Sequence, residues 1–450
     1  MAQRHTVIIG NGIAGITTAR HLRKLSKNRI TVISSETPYF FSRTALMYVY
    51  MGHMKFDHIK PYEDWFWEKN KIDLLHDYVE TIDTHTKTLK CLQTGTLAYD
   101  DLVLATGSKS TFFDWPGQHL KGVQGLISYP DLQQLEASTP APGEKDHPVK
   151  QAVIVGGGLI GIELAEMLLY RKMEVTVLVR EGSYWGNVIT KNESELIAKH
   201  AESHGVRIRL NTEVKEILDD GNGNVSGILT NSGETIPCQL VGISTGVRPN
   251  IDFLRGSAIE MNKGILADEF LQTNMPDIYA AGDCAELRHP LPGRRAIEPV
   301  WYTGRMMGEV LAMTLAGKKS AYRPGPWFNS AKFFDIEYQT YGIVQPTPDD
   351  QHKHWFWKKA DENQFITVAW HPESGDFQGI NSYGIRLKHE YFDRALQLGQ
   401  HVSQVIGSID QANFDTEFYK KWPDELKKTF MRETGIAINH KPKRKSIFSR

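Results

Sequence analysis

The sequence predicts an α/β protein in which one strand–turn–helix–strand plan occurs twice, and three observations predict it. Two glycine-rich turns share a spacing, Gly10-Asn11-Gly12-Ile13-Ala14-Gly15 and Gly156-Gly157-Gly158-Leu159-Ile160-Gly161. Each follows an apolar β-branched run, Val7-Ile8-Ile9 or Val153-Ile154-Val155, and opens a segment of helical character. The chain, at 450 residues, is too long for one ordinary core, so two or three domains are expected.

Residues 5–36 read as strand, glycine turn, helix from Ile16 to about Leu25 and strand Ile30-Thr31-Val32-Ile33, closing on Ser34-Ser35-Glu36. This is the context in which G-x-G-x-x-G holds a dinucleotide pyrophosphate: the glycines permit a tight turn and close backbone approach, and the helix N-terminus is the positive end of a dipole. Gly10, Gly12, Ala14 and Gly15 are the first candidate set, and Gly156, Gly158, Ile160 and Gly161 the second. Glu36 stands where a carboxylate accepts hydrogen bonds from an adenosine ribose, about 20 residues past the motif. The plainer alternative is a solvated loop glutamate.

Residues 138–148, Ser-Thr-Pro-Ala-Pro-Gly-Glu-Lys-Asp-His-Pro, read as an exposed crossover. The second unit then repeats the plan, with a helix from Ile162 to about Tyr170, strand Val175-Thr176-Val177-Leu178-Val179 and a helix around 193–203. A hairpin follows, with its turn at Asp219-Asp220-Gly221-Asn222-Gly223-Asn224. Pro324-Gly325-Pro326 marks another boundary, after which come strand-like aromatic stretches, helical patterns at 389–406 and 415–432, and a basic tail at 441–450.

Lys+Arg (52) and Asp+Glu (53) nearly cancel, which argues against a nucleic-acid or anionic-membrane binder. No apolar run approaches a membrane span, and no signal peptide is read at the N-terminus. Three scattered cysteines, Cys91, Cys238 and Cys284, form neither a disulfide framework nor a metal spacing, so a cytoplasmic location is expected. His352-Lys353-His354 lacks a second ligand cluster, and no metal site is expected. The aromatics from Trp355 to Trp357 read as interface or core packing.

Three further strand ends complete the pattern: Leu102-Val103-Leu104-Ala105-Thr106-Gly107, Ser244-Thr245-Gly246-Val247-Arg248-Pro249-Asn250 and Ile278-Tyr279-Ala280-Ala281-Gly282-Asp283. With the two glycine turns, in this order, the chain over about 5–322 resembles the pyridine nucleotide–disulfide oxidoreductase superfamily. The resemblance implies two Rossmann-like dinucleotide-binding domains. An FAD domain would be built from 1–112 and 245–322, with an NAD(P) domain of 150–244 inserted in it. A C-terminal α+β interface domain of 325–440, which makes a dimer in many members, and the tail 441–450 would follow. Asp283 then matches the aspartate that hydrogen-bonds a ribityl hydroxyl of FAD, a role compatible with capping the turn after it. Arg43 matches an arginine near the flavin phosphates, and Ala105, Thr106, Gly107, Gly246 and Gly282 line the FAD site. Glu163 matches a glutamate that approaches the nicotinamide and is the candidate catalytic residue. Glu166 is placed on another side of its helix and read as structural.

The departures matter as much. Disulfide-reducing members carry one or two cysteines after the first unit, whereas Ser42-Arg43-Thr44-Ala45-Leu46-Met47-Tyr48-Val49-Tyr50-Met51-Gly52 has none, and Thr44 stands where a single cysteine would. The segment most resembles the NAD(P)H:rubredoxin/ferredoxin reductase branch. The implied activity is FAD-dependent NAD(P)H oxidation without a redox disulfide, with hydride passing to FAD and electrons to a rubredoxin- or ferredoxin-type protein or a quinone. The alternative from another class is a slow-turnover redox sensor or partner-binding flavoprotein of the apoptosis-inducing-factor type. For the nucleotide, Val179 occupies the family's carboxylate position and Arg180 follows it. That pattern resembles NADPH-using members, because a guanidinium suits a 2′-phosphate. Glu181 argues for NADH, and no second arginine stands nearby in sequence.

Overall fold

A computed structural model describes residues 3–144, 146–360, 363–414 and 422–438. The basic tail at 441–450, and the start of the helical pattern at 415–432, lie outside them. The chain forms two compact units: Met1–Glu181 with Gly205–Pro324, and Gly182–His204 with Gly325–Arg450.

The first unit contains two five-stranded sheets. One runs in the order Ile278–Ala280, Asp101–Leu104, His5–Ile9, Arg29–Ser34 and Ile72–His76, every neighbouring pair parallel. Its registers set Ile9 beside both Ile33 and Leu104, so three strand ends converge on the first glycine turn. The other runs Val206–Arg209, Glu174–Leu178, Gln151–Val155, Leu240–Ile243 and Val123–Gln124, again all parallel. Parallel strands covered on both faces need continuous apolar runs, and Val7, Ile8, Leu102, Val103, Leu104, Ile154, Val177 and Val241 are all buried. The hairpin has strands Val214–Asp219 and Val225–Thr230, closed by two carboxylates. Asp219 accepts the amides of Gly221 and Gly223, and Asp220 those of Asn222 and Asn224.

The glycine-turn helices begin earlier than the sequence reading has them, at Ile13 and Leu159. The helix Trp301–Leu315, absent from the sequence reading, packs against Ile13–Leu25. Gly304 and Gly308 allow that approach, because a Cβ on Gly308 would lie 2.6 Å from the Ala14 carbonyl oxygen.

The second unit is a five-stranded antiparallel sheet ordered Phe328–Phe333, Ile336–Gly342, Phe377–Tyr383, Phe365–Trp370 and Lys353–Lys358. The aromatics singled out by the sequence supply core: Trp355 and Trp357 are buried, and Trp355 meets Phe430 edge-on at 5.0 Å. The helix expected over 389–406 is two helices, His389–Gln397 and Val402–Gly407. Gly399 at φ 56° ends the first, and the His401 ring caps the second by accepting from the Ser403 amide. The helix Lys191–Ser203, which the sequence reading keeps within 150–244, belongs to this unit by its contacts. Its Glu193 is fully buried and accepts from the Thr190 amide (2.8 Å), the Thr367 hydroxyl (2.6 Å) and the Asn381 amide (3.2 Å).

Candidate functional site

The two glycine turns share one division of labour. At Gly10, where φ is 113°, an added Cβ would stand 2.0 Å from the Ala105 carbonyl oxygen, and at Gly15 2.0 Å from that of Gly10. At Gly12, between them, a Cβ would meet nothing within 4 Å. The second turn repeats this: Gly156 (φ 116°) stands 2.5 Å from the Ser244 carbonyl oxygen, Gly161 2.3 Å from that of Gly156, and Gly158 faces open space. The outer glycines are therefore required by the chain's own close packing. The middle ones clear room for something else. Gly12 and Gly158 are also the N-caps of helices Ile13–Leu25 and Leu159–Tyr170, and neither offers a side-chain cap to the first amides. Uncapped amides at a helix start over open ground are what a pyrophosphate needs, so the residues fit both dinucleotides. Ala14 is buried, 2.9 Å from the Cβ position of Gly282, while Ile160 is half-buried at the start of the second helix.

Around the first turn the structure gathers the other expected residues. Ala105 donates its amide to Ile9, and the Thr106 hydroxyl donates to the Asn250 carbonyl at 2.8 Å. Val247–Pro249 pairs antiparallel with Ser108–Ser110, which sets Gly107 (φ 69°) against Asn250 at one end of the ladder and Gly246 (φ 111°) against Thr111 at the other. Gly282 (φ 79°) ends the strand before Asp283, whose carboxylate accepts from Ser108 at 2.8 Å. Burial holds the Asp283 carboxyl above its ordinary range, opposed by the Ser108 hydrogen bond and the Arg43 charge.

Glu36 and Arg43, separate contacts in the sequence pattern, form one unit. The guanidinium forks onto the carboxylate at 2.9 and 2.7 Å, and the Tyr129 amide donates to Oε1 at 2.8 Å. Of the roughly four lone-pair sites on a carboxylate, this leaves one. Thr44 is exposed, and Cys91, Cys238 and Cys284 are all buried. Burial raises each thiol, Cys238 to about 12, so none is poised as a thiolate.

Glu163 lies half-buried in the first turn of Leu159–Tyr170, and burial first, then the charge of Glu166, pushes its carboxyl up to about 7. The placing of Glu166 on another side of the helix is corrected by this coupling: residues three apart are helix-face neighbours. At the end of Glu174–Leu178, Val179 is buried, whereas Arg180 is 67% exposed and donates to Glu181 at 2.9 Å.

Sequence reasoning missed four contributors: Ser108, Asn250, Arg209 and the helix Trp301–Leu315. Arg209 ends Val206–Arg209, and its carbonyl accepts the Val179 amide at 2.9 Å. A second arginine therefore does adjoin Arg180, its side chain engaged by Glu234. Strand pairing, not local sequence, supplies it.

Residues 4–308 match the family model for pyridine nucleotide-disulphide oxidoreductase. The chain is 31% identical over 292 residues to a nitrite reductase [NAD(P)H] of Bacillus subtilis, an alignment covering 64% of this chain and 35% of that protein. It is 30% identical over 349 residues to an NADH oxidase of Methanocaldococcus jannaschii, covering 75% of this chain and 76% of that one. Among solved structures, a ferredoxin reductase of Rhodopseudomonas palustris superposes with a TM-score of 0.80 at 24% identity, over 94% of this chain and 99% of that one. Twin glycine turns on parallel sheets and a family match over two thirds of the sequence lead to one statement: the chain belongs to the pyridine nucleotide-disulphide oxidoreductase family, as an oxidoreductase of Rossmann-like fold built for FAD and NAD(P)H.

Proposed function

We propose that this protein oxidises NAD(P)H through FAD and passes electrons to a rubredoxin- or ferredoxin-type protein or a quinone, without a redox disulfide. The observation that carries it is the pair of open cradles at Gly12 and Gly158, each walled by glycines that the fold itself requires. When bound, the flavin and nicotinamide supply the hydride chemistry. The first cradle, with Ala14, Ala105, Thr106, Gly107, Gly246 and Gly282 around it, orients the flavin nucleotide. Asp283 is the acceptor for a ribityl hydroxyl, and Glu36, steadied by Arg43, offers its remaining lone pair to the ribose. The second cradle, with Ile160, positions NAD(P)H. Glu163 holds a proton near neutral pH beside it. Arg180 releases Glu181 to grip a 2′-phosphate, with Arg209 one strand away, so NADPH is preferred. Cytoplasmic location and a dimer through the C-terminal unit belong to the same reading, the dimer tested by sedimentation.

Anaerobic titration of the flavoprotein with NADPH tests the core of it. One two-electron equivalent per flavin is expected. A second equivalent reveals another redox centre and refutes the thiol-free route, and a protein that cannot be loaded with FAD refutes the whole proposal.

A further inference from the structure

We propose that His200, His204 and Asp335 form a binding site for a divalent transition metal of the zinc type. His200 lies in the helix Lys191–Ser203 and His204 directly follows it, four residues on and on the same face. Asp335 comes from the tight turn between strands Phe328–Phe333 and Ile336–Gly342, where Phe334 takes φ 51°. The three ligating atoms lie within 4.8 Å of one another.

The second nitrogen of His204 supports a cation site over a chance cluster. His204 Nδ1 stands 3.0 Å from the His200 carbonyl oxygen, which can only accept, so Nδ1 carries the hydrogen. Nε2 faces Asp335 Oδ1 at 3.7 Å, beyond hydrogen-bond reach. A metal ion between them would be held by both, in place of the proton that otherwise bridges an imidazole and a carboxylate. His200 is 6% exposed, and its Nε2, 2.6 Å from Asp335 Oδ1, lacks the alignment of a hydrogen bond. Its Nδ1 meets the Asn363 side-chain amide at 3.3 Å. The amide nitrogen donates to Nδ1 there, and a metal at Nε2 requires the amide to rotate so that its oxygen accepts from Nδ1–H. The His204 ring thus has an outer oxygen to fix its tautomer, the usual support of a zinc-binding histidine, and rotation of the Asn363 amide supplies one to His200.

The dimensions agree. Tetrahedral zinc bonds of about 2.0–2.2 Å place ligand atoms about 3.3–3.5 Å apart. The His204–Asp335 pair is already near that spacing, and the His200–Asp335 pair must open by under about 1 Å, which Asp335, 68% exposed, can do. Phe334 stacks on the His204 ring at 4.4 Å and limits its rotation. Two imidazoles and a carboxylate suit zinc, with water completing the shell on the exposed side. Such a metal would clip the helix to the turn of the sheet's edge hairpin. The sequence carries a signal for it, His200-Ala201-Glu202-Ser203-His204, although no metal was expected from it.

The experiment uses the full-length flavoprotein, stripped with a chelator and dialysed against Zn²⁺. Bound zinc is measured by elemental analysis, its affinity by competition with an indicator chelator, and melting with and without zinc. One zinc per chain is expected. His204→Gln and Asp335→Asn each weaken binding at least about tenfold and abolish the zinc-dependent rise in Tm, while His352→Gln leaves both unchanged. Both test side chains are partly exposed, and unchanged flavin content and circular dichroism verify the fold. No stoichiometric zinc in the native protein, zinc retained by either test variant, or zinc lost with His352 overturns the proposal.

Discussion

Glu163→Gln isolates the electrostatic cost of a carboxylate at the start of the second glycine helix. In the native chain this carboxyl ionises at about 7 rather than 4.5, burial being the larger cause and Glu166 the smaller. Each tenfold change in proton affinity is about 1.4 kcal/mol, so ionising Glu163 in the folded protein costs about 3 kcal/mol more than in the unfolded chain. A raised folded-state pKa fixes the sign. The native protein carries no penalty below pH 4.5, where both states are protonated, loses stability as pH rises from 4.5 to 7, and loses no more above that. Glutamine has the same shape and never ionises. The variant should therefore match the native protein near pH 4 and gain on it by up to about 3 kcal/mol at pH 8. Paired melts of the nucleotide-free proteins across that range, read as a difference, measure this directly. A flat difference would falsify the placement of Glu163 in a desolvated, Glu166-coupled environment.

Gly12→Ala adds a methyl group that touches no protein atom, so melting and circular dichroism should hold while FAD occupancy falls; lost folding with normal occupancy in the folded fraction contradicts the open-cradle reading. Asp283→Ala removes the acceptor of Ser108 and the one proposed for a ribityl hydroxyl, about 1–3 kcal/mol, or 5- to 150-fold faster flavin loss on dilution; unchanged retention refutes the assignment. Arg180→Ala should lower kcat/KM for NADPH by tenfold or more while sparing NADH, about the strength of a charge-assisted bond; an unmoved ratio makes Arg180 a surface residue.

The glycine turns were legible because their information is local. Gly10 and Gly15 serve one turn, and the β-branched runs before them announce buried parallel strands. What was illegible depends on partners far along the chain. Ser108 reaches Asp283 only because the chain returns to the first sheet at Ile278–Ala280, and Arg209 joins Arg180 only through the pairing of two strands. The helix Trp301–Leu315 hides because Gly304 and Gly308 weaken its helical signal, the same glycines that let it reach Ala14. Apolar spacing alone ran 389–406 together, since periodicity is blind to a left-handed glycine. Glu166 was misplaced by counting residues without rotating the helix.

The burial of Glu193 has a consequence for how the protein is made. Its partner Thr367 lies 174 residues downstream, and Asn381 further still. During synthesis the helix that carries it emerges with an apolar stripe and a carboxylate that has its Thr190 donor but not yet those of Thr367 and Asn381. Such long-range pairing slows folding and leaves sticky surface uncovered in the interval. A nascent chain halted at Pro324 would hold that helix naked, as a natural substrate for chaperones and proteases, and only translation of the last strands would release it from their attention.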